Sequence, residues 1–133
     1  MLKEKKATIL FISWMVFITS LSLFSFSGIE TPSSLHIPHL DKLVHFTFYF
    51  GVVVLGVFAI WEHKRFDEST SIKLLVFAVI YGILIEVIQF SFTTDRNGDV
   101  LDVFANSLGA IVAWCIVNYV LKKRKTKKTK NNN

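Results

Sequence analysis

Charged and apolar positions divide the chain into four long hydrophobic runs separated by short polar stretches. Residues 7–29 carry no charged side chain, and residues 43–61 hold only His45 as an ionisable group. Residues 74–94 are interrupted by Glu86 alone, and residues 103–121 are again free of charge. At 1.5 Å rise per residue, about 20 residues cross a hydrocarbon layer of ~30 Å. None of the runs shows the polar stripe of a helix with one wet face. A helix apolar all round belongs in a membrane or in a core larger than 133 residues can build. The pattern therefore predicts an all-α fold, a four-transmembrane-helix bundle with helices at about 7–29, 43–61, 74–94 and 103–121, forming one domain over residues 1–121.

The first run also has features of a signal peptide: Lys3, Lys5 and Lys6 precede it, and Ser25-Phe26-Ser27 stands before Gly28. A signal-peptide core is usually 7–15 residues long. This run is longer, so an uncleaved helix is expected. The connections are short. Residues 30–42 contain Pro32 and Pro38, which interrupt a helix. Residues 62–73 are polar and mixed in charge, and residues 95–102 carry the turn signal Asn97-Gly98.

Composition narrows the class. Hydrophobic residues make up 52% of the chain and charged residues 19%, with a mean hydropathy of +0.48. That leaves too little polar sequence to cover a small soluble enzyme. One cysteine, Cys115, excludes an intrachain disulfide and reads as a packing thiol in mid-helix. The net charge of +5 comes from seven basic residues between Lys122 and Lys130; the rest of the chain is net acidic. Residues 122–133 are accordingly expected to form a basic, disordered cytoplasmic tail.

With four crossings, both termini share a side with the 62–73 loop. That side carries thirteen Lys and Arg, against Lys42 and Arg96 on the other. The positive-inside rule then places both termini in the cytoplasm of a multi-pass cell-membrane protein. A basic tail beside lipid already has an anionic partner, so membrane lipid is expected there rather than nucleic acid.

This orientation gathers the polar residues. Asp41, Lys42 and His45 open the second helix, Glu86 and Gln89 lie in the last turns of the third, and Asp99, Asp102 and Asn106 open the fourth. Arg96 stands in the loop between the third and fourth. Asp41 and His45 are i, i+4. Gly82, Glu86 and Gln89 form one stripe, and Asp99, Asp102, Asn106 and Gly109 form another. Three helices thus bring polar side chains to one shallow level of the outer leaflet. A carboxylate in hydrocarbon costs ~2.5 kcal/mol or more, so Glu86 needs a partner, and Arg96, Lys42 and His45 are the candidate cations. Gln89 and Asn106 suit hydrogen bonds across helices. The purely structural alternative is a staple of three helices, with Gly109, Ala110 and Ala113 letting the fourth approach a neighbour. Acids outnumber bases, which leaves room for an external cation or a hydrogen-bonding ligand. A metal held by His45, Glu86 and Asp102 is the lesser reading: one histidine converges, without H-x-x-x-H or E-x-x-H spacing. No cofactor and no catalytic nucleophile are expected.

At these residues the chain resembles the VanZ-like family of small bacterial membrane proteins. Its pattern is D-K-x-x-H, then E-x-x-Q, then an arginine followed by D-x-x-x-N-x-x-G. These stand here as Asp41-Lys42 with His45, Glu86 with Gln89, and Arg96 followed by Asp102, Asn106 and Gly109. The resemblance implies an envelope protein of the bacterial plasma membrane, in a family named for a protein of teicoplanin resistance. It implies a common site at Asp41, Lys42, His45, Glu86, Gln89, Arg96, Asp99, Asp102 and Asn106. The expected function is non-enzymatic: an outer-leaflet polar pocket for a lipid-linked cell-wall precursor or a lipoglycopeptide. The alternative is a membrane-embedded hydrolase acting on such a lipid.

Overall fold

A computed structural model describes residues 5–23, 39–63, 67–92 and 99–130. They form four helices, α1 (Lys6–Leu23), α2 (Leu40–His63), α3 (Glu68–Phe92) and α4 (Val100–Lys130). Each contains a stretch long and apolar enough to cross a membrane. The described residues contain no strand. The expected end of the first helix at 29, the two prolines, Arg96 and the Asn97-Gly98 turn lie outside the described residues.

Helix boundaries differ from the charge-free runs for a physical reason. α2, α3 and α4 begin three to six residues earlier than expected, because the first turn of a helix accepts polar residues that cap it. Asp67 takes the Thr70 amide at 2.8 Å before α3, and Asp99 takes the Leu101 amide at 2.9 Å before α4. The backbone of α4 continues as helix through Lys130, past the boundary expected at residue 121. Lys and Arg are good helix formers, and cations are favoured near a helix C-terminus.

Successive helices run antiparallel, so α2 and α4 are parallel, and their pairing is the most extensive in the bundle. The core forms where they meet: Tyr49, Val52, Val53 and Val57 of α2 are buried against Ala110 and Ala113 of α4, with Ile18, Leu74 and Ala78 completing it. The expected role of the small residues holds. A Cβ on Gly109 would lie 2.1 Å from the Phe46 carbonyl oxygen, so the two backbones touch there. Side chains such as Leu43, Phe90, Val100, Phe104 and Tyr119 are exposed around the outside. In water that apolar skin would be untenable; in lipid it is matched to its solvent. Cys115 belongs to this outer surface and is not the packing thiol expected.

α1 is packed into the bundle. The Trp14 indole donates to the Phe48 carbonyl at 3.0 Å, and its ring occupies the space over Gly51. At the opposite end of α1, the Glu62 carboxylate accepts the Ala7 amide at 2.6 Å and the Thr8 amide at 2.9 Å. A carboxylate there answers the free amides and the positive end of the helix dipole.

The Gly109 contact sets two effects against each other. Alanine is the better helix former by ~1 kcal/mol, but overpacking costs roughly 1–3 kcal/mol, and here the atom struck is backbone, which cannot rotate away. Gly109→Ala should therefore lower the unfolding midpoint in mixed detergent micelles. An unchanged or raised midpoint would show that α2 and α4 stand further apart.

Candidate functional site

The start of α2, the end of α3 and the start of α4 meet at one end of the bundle, and the polar stripes converge there. Lys42 is the outermost member. Its ammonium donates to Asp41 Oδ2 at 2.7 Å, Asp99 Oδ2 at 2.5 Å and Asp102 Oδ1 at 2.7 Å. Its long stem lets it reach across to α4 although it is not on the stripe shared by Asp41 and His45. Asp99 lies just outside the membrane-type segments. The Lys42 ammonium holds the Asp99 carboxyl below the ordinary carboxylate range, with a further contribution from the Leu101 amide.

Deeper in the bundle the groups are buried. His45, Glu86 and Gln89 are 7%, 5% and 3% exposed, and Asn106 is 1% exposed. The Asn106 amide nitrogen donates to Glu86 Oε1 at 3.2 Å, and its Oδ1 faces His45 Nδ1 at 3.1 Å. His45 stands between two carboxylates: Nδ1 is 3.5 Å from Glu86 Oε1, and Nε2 is 3.7 Å from Asp102 Oδ2. Gln89 turns towards α1 and donates to the Ser22 carbonyl at 2.5 Å. One turn below His45, Tyr49 is buried, and its hydroxyl has no hydrogen-bond partner among the described residues.

Eight of the nine residues expected at the site are therefore at one end of the bundle, and Arg96 lies outside the described residues. Among the described groups, Lys42 answers the carboxylates at the rim and His45 with Asn106 meets Glu86. The sequence reading assigned the site to three helices, but α1 contributes too. A groove of about 250 Å³ opens between α1 and α2, with Asp41, His45 and Ser22 set among Leu21, Leu40, Val44 and Phe48. Ser22 was the missed residue; its spacing three residues after Thr19 puts both on one helix face, but Thr8, Ser13 and Ser20 on the same helix hid that signal. Thr19 itself pairs with the Tyr81 hydroxyl, so this face of α1 carries two polar links to α3. A second groove, between α2 and α4 around Val57, Phe58, Trp61, Ile116 and Val120, lies towards the other end and is apolar.

The arrangement offers a buried imidazole flanked by carboxylates, an acidic rim neutralised in part by one ammonium, and a side opening with apolar walls. It can bind a cation or hydrogen-bond a polar head group, and it can position the imidazole as a base.

The rim is testable through pH. A folded-state carboxyl value below the unfolded one gives stability that is present above the unfolded value, about 3.9, and is lost as pH falls through the lower folded value. Asn keeps the helix cap while removing the charge. Asp99→Asn should lower the melting temperature at pH 6, and the difference from the parent should shrink as pH falls below about 3.9. A difference constant across that range would show that it does not come from the Asp99 charge.

The profile of the VanZ/LLP1 family matches residues 3–122. A curated relative, uncharacterized protein C11E3.10 of the fission yeast Schizosaccharomyces pombe (strain 972), is 32% identical over 113 residues. The match covers 85% of this chain and 66% of that protein, so the chain spans just under two thirds of its relative's length. No solved structure matches. With the profile covering residues 3–122, nearly the whole chain, this chain belongs to the VanZ/LLP1 family.

Proposed function

We propose that the protein is a multi-pass protein of the bacterial plasma membrane with both termini in the cytoplasm, and that its polar chamber binds the head group of an amphiphile from the outer leaflet. The class of ligand is a lipid-linked cell-wall precursor or a lipoglycopeptide, with glycopeptide resistance as the associated phenotype. The observation that carries this reading is the groove between α1 and α2. It puts Asp41, Ser22 and buried His45 in the wall of a mostly apolar cleft on the side of the bundle. A ligand entering there keeps its chain in lipid while its polar end meets acid and imidazole. The orientation rests on the uneven distribution of Lys and Arg.

A second reading, hydrolysis of the same ligand, is favoured by one feature. Ser22 lines the groove with His45, and His45 lies between Glu86 and Asp102. Flanking carboxylates orient an imidazole for proton transfer.

Two experiments test these readings. In a Cys115→Ala background, Arg96→Cys should react with a membrane-impermeant maleimide on intact cells, and Asn132→Cys only after permeabilisation. The reverse pattern would invert the protein. Val44→Trp should fill the groove and weaken binding of fluorescent teicoplanin, or of a labelled lipid-linked precursor, by about tenfold or more, with melting temperature unchanged; tenfold corresponds to ~1.4 kcal/mol. Precursor turnover that disappears in His45→Gln would establish the hydrolase reading instead.

A further inference from the structure

The hydrogen bonds of Asn106 fix the donor role of His45 Nδ1. The Asn106 amide nitrogen is committed to Glu86 Oε1 at 3.2 Å, so the atom facing His45 Nδ1 at 3.1 Å is Oδ1. A carbonyl oxygen has no hydrogen to give; Nδ1 therefore carries the proton and donates it. In the neutral imidazole the lone pair is then at Nε2. Nε2 faces Asp102 Oδ2 at 3.7 Å, beyond hydrogen-bond distance. The other oxygen of Asp102 is occupied by Lys42 at 2.7 Å. In its neutral form His45 thus presents an Nε2 lone pair to Asp102 Oδ2, and each of the two groups is held from behind by a partner.

This is the environment of a metal ligand pair. Nitrogen and oxygen donors sit about 2.0–2.2 Å from zinc, which places neighbouring tetrahedral donors roughly 3.4 Å apart. One donor atom from each of His45, Glu86 and Asp102 lies within 4.8 Å of the others. A ligating histidine characteristically donates its second ring N–H to a fixed acceptor, the role Asn106 fills here.

We infer that His45 Nε2, Asp102 Oδ2 and the Glu86 carboxylate bind a divalent transition ion of the zinc–manganese class, with Asn106 and Lys42 as supporting residues. Three protein donors leave at least one coordination position for water or for an oxygen of a bound head group. The inference deepens the reading above, since it rests on the same chamber being a binding site and names how an oxygen-bearing head group is gripped.

The test uses the full chain in lipid nanodiscs, in a Cys115→Ala background, stripped with EDTA and supplied with Zn²⁺, Mn²⁺ or Mg²⁺ alone. The expected result is retention of about one Zn²⁺ or Mn²⁺ per chain after gel filtration, with a raised melting temperature and no retention of Mg²⁺, which prefers water and oxygen ligands. His45→Gln and Asp102→Asn should weaken retention by more than the roughly 10–100-fold expected of a supporting residue such as Asn106. His45→Cys should restore binding and give a thiolate-to-metal charge-transfer band with Co²⁺, which a merely structural histidine would not produce. Retention below about a tenth of an ion per chain, retention unaffected by His45→Gln and Asp102→Asn, or a His45→Cys protein without that band would each overturn the inference. Fluorescent teicoplanin added to the metal-stripped protein is a separate measurement: binding there with no metal retention removes the ion and leaves the amphiphile site standing.

Discussion

A charge that enters hydrocarbon must bring its own partner, and Lys42 is where this chain meets that requirement. Its ammonium holds Asp41 on its own helix and Asp99 and Asp102 at the start of α4. The attachment aligns the beginnings of two parallel helices that are separated in sequence by all of α3. Seven residues after Asp102, Gly109 lets the same two helices touch at the Phe46 carbonyl. Ionic anchor and backbone contact together set how deep His45 and Asn106 lie, and so place the whole polar chamber.

The fold was legible because lipid imposes a simple code. Twenty apolar residues without a charge have few alternatives to a spanning helix, and each of the four runs became one. Boundaries were less legible. A charge-free run stops at the first polar residue, whereas a helix extends into the polar turn that caps it, as at Asp67 and Asp99. The site was legible as far as side-chain spacing could show it. Stripes at Asp41/His45, Glu86/Gln89 and Asp102/Asn106 do face one another. What the stripes could not show was the partner of Gln89, because a backbone carbonyl such as that of Ser22 leaves no mark on a residue pattern. For the same reason α1 was given no part in the site, although it supplies one wall of the groove.

Asn106 joins the structural and chemical sides of the chamber. Its amide bridges α3 and α2 by giving a proton to Glu86 and accepting one from His45. As a fastener it is economical, since both ends of one side chain are used. The same two bonds make Nδ1 of the imidazole a donor and turn Nε2 towards Asp102. The scaffold's internal hydrogen bonding therefore determines the chemistry exposed to the groove, and a change that loosens the bundle at Asn106 also scrambles the histidine.

A helix staple and a ligand site make different demands on charge. A staple is best served by balance, one base for each acid, because an unanswered carboxylate near hydrocarbon is the most expensive group a bundle can carry. In the described cluster three carboxylates share the ammonium of Lys42, and the fourth, Glu86, meets His45 and Asn106. Gln89 and Asn106 show that neutral amides can fasten these helices without that cost. Asp41 and His45 also lie in the wall of the groove, and not on a sealed interior face. Acid and imidazole placed where a molecule from the lipid can reach them form the arrangement expected of a site that takes up a cation or a head group.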